Sequence, residues 1–259
     1  MPERETLGRT LLVAASVALV CSLIVTVAVT WLRPIQLAYE SVEQNRLVLV
    51  AAGLATEATT LEDREIVARF LELEPRLVDL DAGRYVSADA SMIASYDYRA
   101  AADDPASSRE VESSADIATL GRRPLLMPVY LRYVEGMRDR IVLPIYGSGM
   151  WSTIHAFLVL DATLTRVVSF HVAEHGETPG LGDRIEDPRW LAQWSGKRVF
   201  NDDGTVAFAI GDGGAVPADA RVDGITGATV TVDAIDAIVR YWLGEDGYGP
   251  FLAALRAAS

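Results

Sequence analysis

The chain has 259 residues, a formal net charge of −13 and 50% apolar residues. It is long enough for one large domain or two small ones, and its apolar content excludes wholesale disorder. The acidic balance argues against nucleic-acid binding, because no Lys/Arg-rich stretch is present to neutralise phosphates. The single cysteine, Cys21, excludes an intrachain disulfide and the multi-cysteine ligand sets of iron–sulfur clusters and structural zinc.

The first predicted element is a membrane span. Residues 11–32, LLVAASVALVCSLIVTVAVTWL, carry no charge, and as a helix they are about 33 Å long, close to the roughly 30 Å of a bilayer core. The alternative is a cleaved signal peptide, which has a shorter apolar region and a small-residue cleavage site that is missing after Arg33 and Pro34. We therefore predict residues 1–33 to be an N-terminal tail and uncleaved transmembrane anchor, and residues 34–259 to form the large domain.

The orientation of the span follows from the charges beside it. Arg4 and Arg9 precede the span and Arg33 follows it. Basic residues are retained on the cytoplasmic side, so two against one favours a cytoplasmic N-terminus. The large domain would then lie outside the cytoplasm.

Two helices are predicted at the beginning of the large domain. Residues 34–53 place apolar side chains at helical spacing, which indicates a helix leading out of the bilayer. In residues 61–73, Ile66 and Phe70 share one face and acidic residues occupy the first turn, which indicates a second helix. Residues 101–123 are polar, small and irregular, and are predicted to form a surface loop or a poorly ordered insert.

Strands occupy the middle of the chain. β-Type runs predict strands at Val129–Val134, Ile141–Ile145, His155–Leu160, Leu164–Val172 and Thr205–Ile210. Turn residues separate them at Glu135–Asp139, Asp161–Thr163, Asp202–Gly204 and Gly211–Gly214. The predicted class is α+β, with a largely antiparallel sheet flanked by helices and preceded by one N-terminal transmembrane helix.

One segment combines glycine and hydroxyl residues just before a helix. In Val222–Thr231, VDGITGATVT, the small residues let a ligand approach the backbone, and apolar residues at helical spacing follow. Thr231 is a candidate N-cap. A phosphate attached near Thr229 would lie at the N-terminus of the helix, where free N–H groups favour an anion. The alternative is a glycine-rich turn with a capping threonine.

Two further loops have a composition that could hold a flat ligand. Glu174–Gly182, EHGETPGLG, is a proline- and glycine-rich loop that can wrap an aromatic ring system, or is an ordinary surface turn. In Pro144–Thr153, PIYGSGMWST, Trp151 can stack on a flat ligand, or belongs to the core.

Several kinds of chemistry are excluded by missing motifs. No G-x-G-x-x-G or Walker A sequence opens a βαβ unit, and no G-x-S-x-G elbow is present. The histidines His155, His171 and His175 do not have the spacing of a common metal site. The chain does not have the pattern of a self-sufficient hydrolase, and redox chemistry would require a cofactor.

These loops resemble a known family, the C subunit of the Na+-translocating NADH:quinone reductase, and the related G subunit of the Rnf electron-transport complex. The resemblance covers nearly the whole chain. It is carried by the motifs RLVLVAAGL, PIYGSGMWS, HGETPGLG, WLAQWSGK, VDGITGATVT and YWLGEDGYGPFL.

The resemblance implies FMN bound covalently, through a phosphoester, to Thr229. It implies that a separate flavin transferase recognises a short element and uses FAD as the donor, releasing AMP. The remaining cofactor-binding residues that it implies are those of the recognised element and of the two loops around the flavin: Asp223, Thr226, Gly227, Ala228, Trp151, Ser152, Glu177, Thr178, Gly180 and Leu181. No metal site and no catalytic residue of the chain's own are implied.

At the level of the complex, the resemblance implies electron relay between other subunits of a sodium-translocating NADH:ubiquinone reductase. It implies a bacterial inner-membrane protein with one span and a periplasmic large domain. The alternatives are an Rnf-type subunit with the same covalent FMN, and a non-redox membrane-anchored binding or assembly module. Met150 and Thr226 stand where the family usually has Leu and often has Ser, and residues 101–118 match no element of the family.

Overall fold

A computed structural model describes residues 7–55, 62–211 and 216–258. The chain divides into two compact units, Met1–Asn45 and Arg46–Ser259. The division falls inside the first helix, α1 (Leu7–Ala51), whereas the apolar run alone places it after residue 33. Within the described ranges, Arg9–Leu32 is the one helical stretch long and apolar enough to cross a membrane, as predicted for the anchor.

The second unit has an α+β architecture, as predicted. Its helices are α2 (Asp63–Phe70), α3 (Ala90–Ser95), α4 (Tyr98–Asp103), α5 (Pro188–Leu191), α6 (Thr229–Leu243) and α7 (Gly249–Ala257). Its strands are β1 (Leu73–Asp79), β2 (Arg84–Tyr85), β3 (Ser108–Glu110), β4 (Arg122–Pro124), β5 (Leu126–Val134), β6 (Met137–Ser148), β7 (Thr153–Asp161), β8 (Val167–Glu174), β9 (Ala209–Ile210) and β10 (Arg221–Val222).

The main sheet has the strand order β2-β1-β5-β6-β7-β8, and all its pairs are antiparallel. The strands β5 to β8 therefore form a meander of neighbours in sequence, which explains why their alternating patterns could be recognised. The turn between β5 and β6 is shorter than the predicted Glu135–Asp139. Only Glu135 and Gly136 lie between the strands, with φ of 53° and 80°, the backbone of a tight two-residue hairpin.

Strand β1 was not predicted, and the helix before it is shorter than predicted. The predicted helix 61–73 is observed as α2, which ends at Phe70, and Leu73 already belongs to β1. Leu61 lies outside the described residues. The sequence did not indicate a strand here because Pro75 cannot donate a backbone hydrogen bond. On the side of β1 that faces β2, however, only Val78 and Asp79 are paired. The missing N–H of Pro75 therefore faces a stretch of the sheet edge that no strand of the described residues pairs with, where proline is tolerated.

The predicted strand Thr205–Ile210 is mostly irregular. Only Ala209 and Ile210 form β9, which pairs in parallel with β10 outside the main sheet. Val206 makes an isolated bridge to Phe200. The residues 212–214 of the predicted following turn lie outside the described part. The strand predicted at Leu164–Val172 begins later, at Val167, because Leu164 occupies the turn with φ of 60°.

Residues 101–123, predicted to be a loop or insert, contain short elements. They include the end of α4, the strand β3 and the beginning of β4. The turn before β4 is held by Asp116, whose carboxylate accepts hydrogen bonds from the N–H groups of Leu120 and Gly121 at 2.7 and 2.8 Å. Short polar residues thus supply local bonds where the apolar pattern gives no signal.

The helix α6 is fixed to the extended end of β6. Strand β5 pairs with β6 only as far as Val142, so the carbonyls of Pro144 and Tyr146 have no strand partner on that side. The indole Nε1 of Trp242 donates to the Tyr146 carbonyl at 2.7 Å, and the Tyr248 hydroxyl donates to the Pro144 carbonyl at 2.8 Å. Both side chains are fully buried; the Trp242 bond holds the end of α6 against the sheet, and the Tyr248 bond holds the segment between α6 and α7.

Candidate functional site

Helix α6 begins at Thr229, three residues earlier than an N-cap at Thr231 would imply. Ala228 is the N-cap residue, and no side chain caps this end of the helix. The prediction that Thr231 is the N-cap is wrong. Thr231 lies inside the first turn, is 2% exposed, and donates its hydroxyl proton to Glu177 instead. The first N–H groups of α6 consequently have neither intrahelical acceptors nor a side-chain cap, and they create a positive end.

The three predicted loops meet at this end of α6. A cleft of about 310 Å³ lies between them, near the lower limit of small-molecule sites. Five of the predicted residues line it, and these are Thr178, Leu181, Gly227, Ala228 and Thr229. The structure adds four residues that the prediction did not include: Met150, Gly182, Val230 and Thr231.

Trp151 is at the surface beside the cleft and is not part of the core. Its side chain is 67% exposed, so the alternative that placed it in the core is wrong. Its Nε1 donates to the Thr178 hydroxyl at 2.9 Å, which joins the loop after β6 to the loop after β8. Ser152, its neighbour, donates its hydroxyl proton to the Thr153 carbonyl at 3.3 Å and does not line the cleft.

Glu177 lies behind the cleft and does not line it. The residue is 4% exposed, and one carboxylate oxygen accepts from the N–H groups of Met150 and Trp151 at 2.9 and 3.2 Å. The other carboxylate oxygen accepts the proton of the Thr231 hydroxyl. The same loop continues to Gly180, at φ of 79° with open space around it, and to the half-exposed Leu181.

The segment before α6 has a buried side and an exposed side. Ile225 and Ala228 are buried, whereas Asp223, Thr226 and Thr229 are exposed. An alternating pattern of this kind fixes a loop to the core while leaving its hydroxyl and carboxyl groups accessible. Asp223 and Thr226 lie outside the cleft lining.

Three side chains form hydrogen bonds with the backbone of this segment. Asp223 donates its N–H to Gln193 Oε1 at 3.0 Å, and its carbonyl accepts from Trp190 Nε1 at 2.8 Å. Arg184 Nη1 donates to the Thr226 carbonyl at 3.2 Å. The loop is therefore preorganised before any ligand binds.

The arrangement suits a phosphorylated ligand with an apolar ring. The exposed Thr229 hydroxyl stands at the positive end of α6, where a phosphate is favoured. The large apolar side chains of Met150, Trp151, Leu181 and Val230 are exposed around it, each by 50% or more, and offer a surface for a flat ring.

Comparisons with known proteins agree with this geometry. The model of the FMN-binding domain family matches residues 149–244, which include all the cleft-lining residues. The C subunit of the Na(+)-translocating NADH-quinone reductase from Pseudomonas aeruginosa is 38% identical over 99% of this chain and 98% of its own length. The corresponding Yersinia pestis protein is also 38% identical, over 98% and 95%.

Solved structures give the same result. The crystal structure of Shewanella oneidensis NqrC matches with a TM-score of 0.73 and 33% identity, and the match covers 85% of this chain and 99% of that chain. The C subunit from Parabacteroides distasonis, at 24% identity and a TM-score of 0.64, shares the fold. The chain belongs to the family of C subunits of the Na(+)-translocating NADH-quinone reductase.

Proposed function

We propose that the chain carries FMN on Thr229 through a phosphoester bond and relays electrons between other subunits of a Na+-translocating NADH:ubiquinone reductase. Its family makes it an FMN-binding subunit of that oxidoreductase complex. The observation that supports the covalent site is the position of Thr229, an exposed hydroxyl at the uncapped N-terminus of α6, in a cleft formed by three loops.

The residues of the cleft have separate tasks in this proposal. The free N–H groups in the first turn of α6 bind the phosphate, and the helix dipole stabilises its charge. Trp151 and Leu181 provide apolar surface for the ring. Bound FMN supplies the redox chemistry, which the protein side chains do not have. The covalent bond keeps the cofactor on the protein where free flavin is scarce.

Attachment requires a second protein, a flavin transferase that uses FAD. The Thr229 oxygen forms a new bond to the phosphorus of the FMN half, the pyrophosphate bond of FAD breaks, AMP leaves, and the hydroxyl proton is released. Asp223, Thr226 and Gly227 are exposed before Thr229, as a recognition element for the transferase must be.

Peptide mapping tests the attachment site. The full chain is produced in cells that contain the flavin transferase, denatured, separated on a gel and digested. We expect a fluorescent band, and one peptide that contains Thr229 and has gained the mass of FMN minus water. A chain without fluorescence under these conditions would refute the covalent proposal, and flavin on another peptide would refute the assignment to Thr229.

We further propose that α1 anchors the chain in a bacterial inner membrane with the large domain in the periplasm. The basic residues Arg4 and Arg9 before the span support a cytoplasmic N-terminus. Protease added to intact spheroplasts is expected to digest the large domain, while a cytoplasmic marker protein survives. If the domain survives in intact spheroplasts and is digested only after lysis, the orientation is the reverse.

A further inference from the structure

The carboxylate of Glu177 is positioned at the meeting point of the three loops. It is 4% exposed, and each of its oxygens is engaged by a different segment of the chain. A buried carboxylate is costly unless hydrogen bonds satisfy it. Here two backbone N–H groups and one hydroxyl do so, and the nearby N-terminus of α6 stabilises its negative charge.

We infer that Glu177 is a positioning residue, and not a flavin ligand, which fixes the Trp151 loop relative to the first turn of α6. Its carboxylate joins the N–H groups of Met150 and Trp151 to the hydroxyl of Thr231, two residues after Thr229. This inference rests on the proposed flavin site, because it assigns to Glu177 the task of holding the two sides of that cleft at a fixed separation.

Close packing around Glu177 supports this task. Gly182 follows in the same loop, and a Cβ atom there would lie 2.8 Å from Glu177 Cβ and 2.9 Å from Thr231 Oγ1. No side chain fits at Gly182, so the Glu177 loop packs closely against the first turn of α6 there. The imidazole of His175 also accepts the Glu177 N–H through Nδ1 at 3.1 Å, which fixes the backbone of the residue.

The same contacts explain how Trp151 is placed. Its backbone N–H is held by the Glu177 carboxylate and its indole N–H by the Thr178 hydroxyl. Glu177 and Thr178, which are consecutive in one loop, therefore fix the backbone and the indole ring of Trp151, although its side chain is exposed. An exposed side chain without such bonds would sample several rotamers on the nanosecond timescale.

Hydrogen exchange tests the contact without requiring any flavin. In the full chain, Glu177→Ala is expected to increase the exchange rates of the Met150 and Trp151 amides about tenfold, the effect of losing a hydrogen bond to a charged group. Glu177→Gln keeps an acceptor for these amides and a polar partner for Thr231, so exchange should stay near the original rate. Glu110→Ala, which removes an exposed carboxylate outside the three loops, is the matched control.

A second pair of variants covers the case in which Glu177→Ala does not fold. Thr231→Val replaces the hydroxyl with a methyl group of similar volume, and Thr231→Ser retains the hydroxyl. We expect the flavin attached to Thr231→Val to show an altered visible circular dichroism spectrum. Thr231→Ser and Glu177→Gln should show the original spectrum, and their melting temperatures should be unchanged.

The outcomes separate this inference from the proposed function. Unchanged Met150 and Trp151 exchange in Glu177→Ala, or a flavin spectrum unchanged in Thr231→Val, would overturn the positioning role. The positioning role would also be overturned if Glu177→Gln altered the flavin spectrum as much as Glu177→Ala does. The negative charge of Glu177, and not its hydrogen-bond geometry, would then determine the spectrum. If the original chain carries no covalent flavin, the proposed function fails, while the exchange result still decides whether Glu177 holds the loops.

Discussion

Thr229→Ala is expected to yield a folded chain that carries no covalent flavin. The substitution removes a hydroxyl and a methyl group from an exposed position, and alanine favours the first turn of a helix at least as well as threonine. The core beneath it is untouched, because Ala228, Thr231 and Val232 are the buried residues there. The measurement is in-gel flavin fluorescence beside a circular dichroism melting curve, with the flavin transferase present in the cells.

Two variants control this result. Thr229→Ser keeps a hydroxyl at the same position, so a fluorescent band should return. Thr178→Ala removes a different hydroxyl that lines the same cleft, and the chain should still carry flavin. Fluorescence that persists in Thr229→Ala, or that disappears only in Thr178→Ala, would move the attachment to another residue.

Trp194→Ala is expected to lower the free energy of unfolding by about 3–5 kcal/mol, the range for truncation of a large buried aromatic residue. Trp194 is fully buried, and its ring stacks on Phe170 with centroids 3.9 Å apart and an interplanar angle of 7°. It also packs against Phe208 and Trp190 at 4.9 and 5.4 Å. The variant leaves a cavity that these rigid rings cannot close.

Urea unfolding of the full chain in detergent, followed by circular dichroism, measures this loss. Trp151→Ala provides the matched control, since it removes the same side chain from a position that is 67% exposed. Its effect on stability should stay below about 1 kcal/mol. Equal losses for the two variants would mean that the aromatic cluster around Trp194 does not form in solution.

The parts of the fold that follow local patterns could be predicted from the sequence. The meander from β5 to β8 has apolar runs separated by turn residues, and each strand pairs with its neighbour in sequence. Strand β1 could not be recognised because Pro75 and the charged residues around it are tolerated only at an incompletely paired edge. Whether this edge is paired depends on where β2 ends, and the local sequence of β1 does not show that.

The site was predictable to a similar extent. Glycine and hydroxyl residues before an apolar helix indicated a phosphate position near Thr229, and Thr229 does begin α6. The sequence could not show that Thr231 and Glu177 bond to each other, because these residues are 54 positions apart. A threonine near a helix start is usually a cap, and only the approach of the Glu177 loop gives its hydroxyl another acceptor.

The hydrogen bonds that Trp242 of α6 and Tyr248 after it donate to β6 bear on how the cleft at Thr229 could widen. Both bonds end on carbonyls of β6, which pairs with β7 within the main sheet, so the α6 side of the cleft is tied to the sheet. On the loop side of the cleft, widening would require the bonds from Met150 and Trp151 to Glu177 and Thr178 to break. A ligand too large for the cleft would therefore have to displace the loops and not the helix, and Thr229 would keep its position relative to the sheet.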